Sequence, residues 1–232
     1  MLRKFPKTPH VLWLSPQPAR GDKVMSALEA EAFVSSGEIA VEEKVDGANL
    51  GLSFDEAGRF RMQNRGNFLE GRLSGQWQEL RGWFARHETA LREHLPRKAV
   101  LFGEWCYAQH SMDYTRLPDW FLGFDVLDAE SERFWSTPRR EVLFAGMGME
   151  SIRSVARGRF TLRELRAMLS EPSAYGDGPV EGLYLRREDS EWLFKRAKLV
   201  RPEFVQAISE HWSRGRLQVN RLAAYPTLKT EN

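Results

Sequence analysis

Residues 41–54 read VEEKVDGANLGLSF. The first residues continue an alternation that begins at Gly37 in GEIAVEEK, the pattern of a strand. Asp46-Gly47 is a turn signal, and NLGLSF (49–54) resumes the strand pattern. Followed by the turn DEAG (55–58) and RFRMQN (59–64), it predicts a hairpin. Lys44 therefore stands at a strand end, with Glu42 and Glu43 before it and Asp46 after it. Taken alone, Lys-x-Asp-Gly is best read as a surface turn, because the pattern is short. The rest of the chain changes that reading.

Working outward, apolar residues fall at helical spacing from Ser74 to Leu95: Trp77, Leu80, Trp83, Phe84, Leu91 and Leu95. These aromatic residues read as helix core rather than a base-stacking platform. KAVLFGEW (98–105) and WFLGFDVLD (120–128) are apolar enough to be central strands. Thr137 as N-cap and Pro138 as first residue open a short helix, and Thr161 with Glu164 forms a capping box for another. VEGLYLRR (180–187), the turn EDS (188–190) and EWLFKR (191–196) predict a second hairpin. A last helix runs from Pro202 to about Trp212. Strands joined largely by hairpins, with helices interspersed, predict an α+β fold of mainly antiparallel sheet flanked by helices.

The bulk properties exclude several classes. With 232 residues and 42% hydrophobic content, the chain can bury a core without staples. No apolar run approaches the length of a membrane span. The proline-broken start MLRKFPKTPHVLWLSP lacks a signal core, so a cytoplasmic location is expected. Cys106, the one cysteine, rules out an internal disulfide and a cysteine-rich zinc site. It reads as a small buried hydrophobe. Residues 151–232 carry 15 basic and 10 acidic residues, against 19 and 22 in residues 1–150. A basic C-terminal third fits an anionic partner, although 26 of the 34 basic residues are arginine, which compositional bias explains equally well.

Charged residues recur inside the apolar strands. Glu104 ends one, Phe124-Asp125 lies in another, Glu181 begins a third, and Lys195, Arg196, Lys198 and Arg201 lie in and just after a fourth. Burying unpaired charge is costly, so these residues are expected to converge on one polar site.

In that order, EKVDGAN, QNRGNF, FGEW, GFD, EGLYLR and FKRAKLVRPEF, the chain resembles the covalent nucleotidyltransferases: ATP-dependent DNA and RNA ligases and messenger-RNA capping enzymes. It looks most like their RNA ligase 2-like branch. The resemblance implies a nucleotidyltransferase (ATP-grasp-like) domain over residues 1–200. Residues 201–232 would be a short helical extension packed on it, too short for the OB-fold domain that DNA ligases and capping enzymes append. It further implies that Lys44 becomes bonded to AMP. Glu43 would accept from the adenine amino group, and Asn49 and Arg65 would contact sugar and phosphate. Glu104 would hold the ribose, Phe124 would stack on the adenine, and Glu181 would help hold Mg2+ or Mn2+. Arg196 and Lys198 would meet the phosphates. The branch commonly has Lys-x-Lys where this chain has Arg196-x-Lys198. Residues two apart share a strand face, so Lys195 is expected to point away. The implied substrates are ATP and RNA with 5′-phosphate and 3′-hydroxyl ends, with a separate end-healing kinase or phosphatase as a possible partner and a monomer favoured.

Lysine is nucleophilic only when neutral, and its ordinary pKa is about 10.4. Acidic neighbours raise that value. Activation is therefore expected from positive neighbours and desolvation, with Lys198, Arg196 and a bound divalent cation as the positive charges, which predicts that the strand bearing Arg196 and Lys198 packs close to Lys44. Glu42 is expected on the Lys44 face of the strand and Glu43 on the other. The alternatives are a DNA ligase or other covalent nucleotidyltransferase, or a non-catalytic nucleotide- or RNA-binding module on the same fold. His87 and His94 read as surface or satisfied core residues and His110 as structural. Arg201, Arg214, Arg216 and Arg221 are equally open to an RNA backbone or to solvent.

Overall fold

The computed structural model describes residues 2–19, 21–207 and 217–224. In chain order the elements are α1 (Ala27–Ser35), β1 (Ile39–Lys44), β2 (Ala48–Phe54), β3 (Phe60–Gln63), α2 (Leu80–His94), β4 (Ala99–Trp105), β5 (Phe121–Asp128), β6 (Arg133–Phe134), α3 (Thr137–Met147), β7 (Ser154–Gly158), α4 (Leu162–Ala167), β8 (Gly182–Glu188), β9 (Leu193–Val200) and α5 (Pro202–Ala207). Two antiparallel sheets result, ordered β7-β1-β8-β9 and β3-β2-β4-β5-β6. The expected α+β class is correct.

Each sheet packs an apolar face against helices, and the second sheet also buries Val100, Phe102 and Leu127 in a separate cluster on its opposite face. In the first, Ile39, Val41, Leu183, Leu185, Ala197 and Leu199 bury against α1 and α4 through Phe33, Val34 and Leu165. In the second, Leu50, Leu52, Leu101 and Trp105 bury against α2 and α3 through Leu80, Trp83, Leu91 and Phe144. Strand alternation fixes the opposite faces. In the first sheet that face carries Glu42, Lys44, Tyr184, Arg186, Arg196 and Lys198, matched across β1, β8 and β9 by the register. This charged face meets the second sheet. Arg186 donates to Asp125 at 2.7 Å and Arg196 to the same carboxylate at 2.9 Å. Arg140, from α3, donates to Glu42. Charge buried between sheets is tolerated because it is paired.

Several boundaries differ from the sequence expectation. Ser136, not Thr137, caps α3: its hydroxyl accepts from the Arg139 amide. A short 3-10 turn, Gly75–Trp77, precedes α2, which begins at Leu80. β8 continues to Glu188, into the expected turn. α1 and β7 were not anticipated. The capping box of Thr161 and Glu164 is present. α5 starts at Pro202 as expected, and the remainder of that helix reading, with Arg214 and Arg216, lies outside the described residues. Among the described residues no helix is long and apolar enough to cross a membrane.

Candidate active site

β1 ends at Lys44, and Val45, Asp46 and Gly47 carry the chain across to β2 in the other sheet. This crossing is tightly built. The Asp46 amide donates to the Tyr114 hydroxyl at 2.8 Å, and the Asp46 carboxylate accepts from the Ser111 amide at 2.8 Å. The Gly47 amide donates to Glu104 at 3.1 Å. A Cβ on Gly47 would lie 2.6 Å from the Trp105 carbonyl oxygen, so only glycine fits here. His110, on the Ser111 loop, lies against Gln76 at 3.0 Å and near Asp46.

A cavity of about 380 Å³ opens over the crossing. Glu43, Lys44, Asn49, Arg65, Glu104, Phe124 and Lys198 all line it, so seven of the nine sequence-derived positions share one cavity. An eighth, Glu181, is buried beside it and accepts from Lys44 Nζ at 2.7 and 2.9 Å. Glu43 reaches the wall from the far face of β1, its carboxylate held by the Ala174 amide at 3.0 Å and the Ser173 hydroxyl. Asn49 and Glu104 are register partners, so both face the cavity. Phe124 is placed by a β-bulge. Phe102 pairs with Asp125 and Gly103 with Gly123, leaving Phe124 unpaired. The bulge lets adjacent residues both serve the space between the sheets: Phe124 faces the cavity and Asp125 the arginines. Arg65 is held over the rim by a bend in which Asn64 Oδ1 accepts from the amides of Gly66 and Asn67, at 2.9 and 2.8 Å.

Arg196 is the ninth position. It shares a strand face with Lys198, as the two-residue period requires, but does not line the cavity. Its guanidinium is bound to Asp125 and lies over Phe134, 3.8 Å from the ring centroid. Lys195 is exposed and points away. Glu42 shares the Lys44 face, yet its carboxylate turns to Arg140 and Arg186 rather than to Lys44.

The electrostatics correct one expectation. Burial alone would lower the Lys44 ammonium, but the attraction of Glu181, Asp46 and Glu104 outweighs it, and the amine is held above its usual range. Positive neighbours do not dominate it. The surrounding acids respond in turn. Burial pushes Glu104 up to about 8, with Asp46 and Glu181 adding to the rise against Lys44. Burial pushes Glu181 up to about 7 against the pull of Lys44. Among the described residues no set of three or more His, Cys, Asp or Glu side chains could hold a metal by itself. The excess of buried acid nonetheless fits a hard cation whose coordination is completed by phosphate oxygens and water. Asn49 Oδ1 is buried without a hydrogen-bond partner, as a cavity built for a polar ligand would leave it.

Sequence reasoning missed the other wall. Phe5, Pro6, Lys7 and Thr8, with Gly21 and Asp22, complete the cavity, and Tyr184 joins them. The N-terminal residues lack periodicity and carried no signal. Tyr184 joins the wall because it stands in register with Lys198, a pairing set past a shift at Arg187–Glu188.

Residues 37–200 match the family model described as RNA ligase. No curated protein sequence matches the chain. Among solved structures, Naegleria gruberi RNA ligase with pyrophosphate superposes with a TM-score of 0.60 at 16% identity, over 78% of this chain and 56% of that one. An apo mutant of the same ligase gives 0.62 at 13% identity, over 90% and 58%. A mutant with AMP and Mn gives 0.62 at 14% identity, over 90% and 59%. At such identities the likeness is one of fold, and the chain spans somewhat over half the length of these structures. The family match covers both sheets and the cavity wall that they supply, and by it this chain belongs to the RNA ligase family.

Proposed function

We propose that this chain is an ATP-dependent RNA ligase acting through a lysyl-AMP intermediate. The observation that carries the reading is the gathering of Lys44, Asn49, Arg65, Glu104, Phe124 and Lys198 around one cavity on the RNA ligase fold. Neutral Lys44 attacks the α-phosphorus of ATP. A P–N bond forms, the bond to the bridging oxygen breaks, and pyrophosphate leaves. The AMP is next transferred to a 5′-phosphate on RNA, which frees Lys44. A 3′-hydroxyl then displaces AMP and seals the phosphodiester.

The site's contribution is positioning and charge balance. Phe124 offers its ring to the adenine. Glu104 and Asn49, paired across β2 and β4, meet the ribose, and Arg65 and Lys198 meet the phosphates. Arg196, bound to Asp125, supports the β9 side of the cavity from behind. The Lys44–Glu181 pair keeps the amine protonated, so this pair must separate before attack. Glu181 is the group placed to receive the Lys44 proton or to help hold Mg2+ or Mn2+, and such a cation would neutralise phosphate charge. The solved structures bound to pyrophosphate, and to AMP with Mn, support this ligand class.

The test is covalent labelling. The protein is incubated with α-labelled ATP and a divalent cation and then denatured. Label is expected to stay on the wild type and to be absent from Lys44→Ala. A wild type that takes up no label from ATP or GTP would refute the catalytic reading. Nicked duplexes differing only in the strand with the 3′-hydroxyl test substrate choice, because the 2′-hydroxyl distinguishes RNA from DNA. Equal sealing of all-DNA nicks would overturn the RNA preference.

A further inference from the structure

The N-terminal residues form a strap built around one residue, Lys198. The Lys198 amide donates to the Pro9 carbonyl at 2.9 Å, and the Lys198 carbonyl accepts from the Val11 amide at 2.9 Å. The chain then folds back, so that His10 exchanges backbone hydrogen bonds with Lys23 and Met25, at 2.7 and 2.9 Å. This second pass brings Asp22 to the cavity wall, where its carboxylate accepts from Lys198 Nζ at 2.9 Å. His10 packs beneath, 2% exposed, its Nε2 3.6 Å from the same Asp22 oxygen. Burial and the adjacent Lys198 push the imidazole down to about 4, so it is neutral near pH 7 and leaves Lys198 as the close charge partner of Asp22. Lys7, on the same wall, reaches the Gly21 carbonyl at 3.2 Å.

An anion entering the cavity thus meets a cation that already has a carboxylate. A phosphate that reached for Lys198 Nζ would compete with the Asp22 carboxylate for it and would be repelled by that carboxylate at close range. Asp22 is 37% exposed on its side chain and lies one residue after Gly21, whose φ of +77° marks a turn, so it is placed to swing outward.

Building on the nucleotide reading above, we propose that Asp22 is a counter-ion gate: it neutralises Lys198 and is displaced when the ATP phosphates take its place. The strap thereby sets the ATP concentration at which the site fills. The Lys198–Asp22 pair is partly solvated, and such pairs are worth roughly 0.2–1 kcal/mol. Releasing it corresponds to about a 1.4-fold to fivefold change in affinity.

The experiment measures ATP binding with Mg2+ by calorimetry for wild type, Asp22→Asn, Lys198→Ala and the double variant, each checked for a native melting profile. Asp22→Asn is expected to bind ATP about 1.4 to 5 times more tightly. The gain should vanish in the Lys198→Ala background. Unchanged or weaker binding by Asp22→Asn would overturn the gate, and so would a gain that persists without Lys198. Asp22→Ser serves if the asparagine variant does not fold. A wild type that neither binds ATP nor takes up label would instead remove the nucleotide reading itself, a distinguishable result.

Discussion

Lys44 Nζ sits between both carboxylate oxygens of Glu181, at 2.7 and 2.9 Å, in a pocket that also holds Asp46 and Glu104. More acid than base is buried there, and this has a consequence for stability. Glu104 and Glu181 titrate at about 8 and about 7 in the fold. The unfolded value is about 4.3. Between those limits the folded protein binds more protons than the unfolded chain, so stability is present at low pH and is lost as pH rises through about 7 to 8. The ligand-free protein is expected to melt at least about 3 °C lower at pH 8.5 than at pH 5.5. Glu104→Gln should flatten the slope. A melting temperature that climbs over this range would contradict the assignment.

The charge layer between the sheets should be as consequential as either apolar core. Arg186 serves Asp125, Glu188 and the Trp135 carbonyl at 2.7, 3.0 and 2.9 Å, with no exposure to solvent. Arg186→Ala leaves Asp125 with Arg196 as its remaining cation and takes a donor from Glu188 and from the Trp135 carbonyl, and is expected to cost about 3–5 kcal/mol. Urea unfolding measures it, and a loss below about 1 kcal/mol would mean that the layer is solvated.

Gly47→Ala tests the crossing between the sheets. The added methyl meets the Trp105 carbonyl, which is backbone and cannot turn aside. A loss of about 1–3 kcal/mol is expected, with covalent labelling falling further than stability does, because Glu104 bonds the Gly47 amide. Wild-type labelling in this variant would show that the crossing tolerates displacement.

Phe124 distinguishes a core role from a stacking one. Base–aromatic stacking is worth roughly 1–3 kcal/mol, so Phe124→Ala should weaken ATP binding by about 5- to 150-fold. Phe124→Trp should bind ATP with a change in indole fluorescence. An alanine variant that binds ATP normally would return Phe124 to the packing it shares with Phe5, at 5.1 Å between centroids.

Strand phase made much of this legible. Two-residue alternation put Arg196 and Lys198 on one face and Lys195 on the other, and so it is. Phase could not say which acid would take Arg196, because Asp125 reaches it from the other sheet through long-range packing. The bulge at Phe124 was invisible for the same reason: a bulge is a relation between two strands. The lysine's acidic neighbours called for compensating positive charge, expected from Lys198, Arg196 and a divalent cation. Lys198, the nearest candidate, is instead committed to Asp22, on a segment without pattern. Helix ends depend on single side chains, and Ser136 could not be separated from Thr137 without geometry.

Three residues, Val45, Asp46 and Gly47, join the lysine-bearing sheet to the sheet that carries Asn49 and Glu104. The four Cα steps from Lys44 to Ala48 reach at most roughly 13–14 Å, only a little more than the roughly 10 Å spacing of packed sheets. Whatever the distal ends of the two layers do, the lysine and the wall that carries Asn49 and Glu104 can part by no more than this short tether allows.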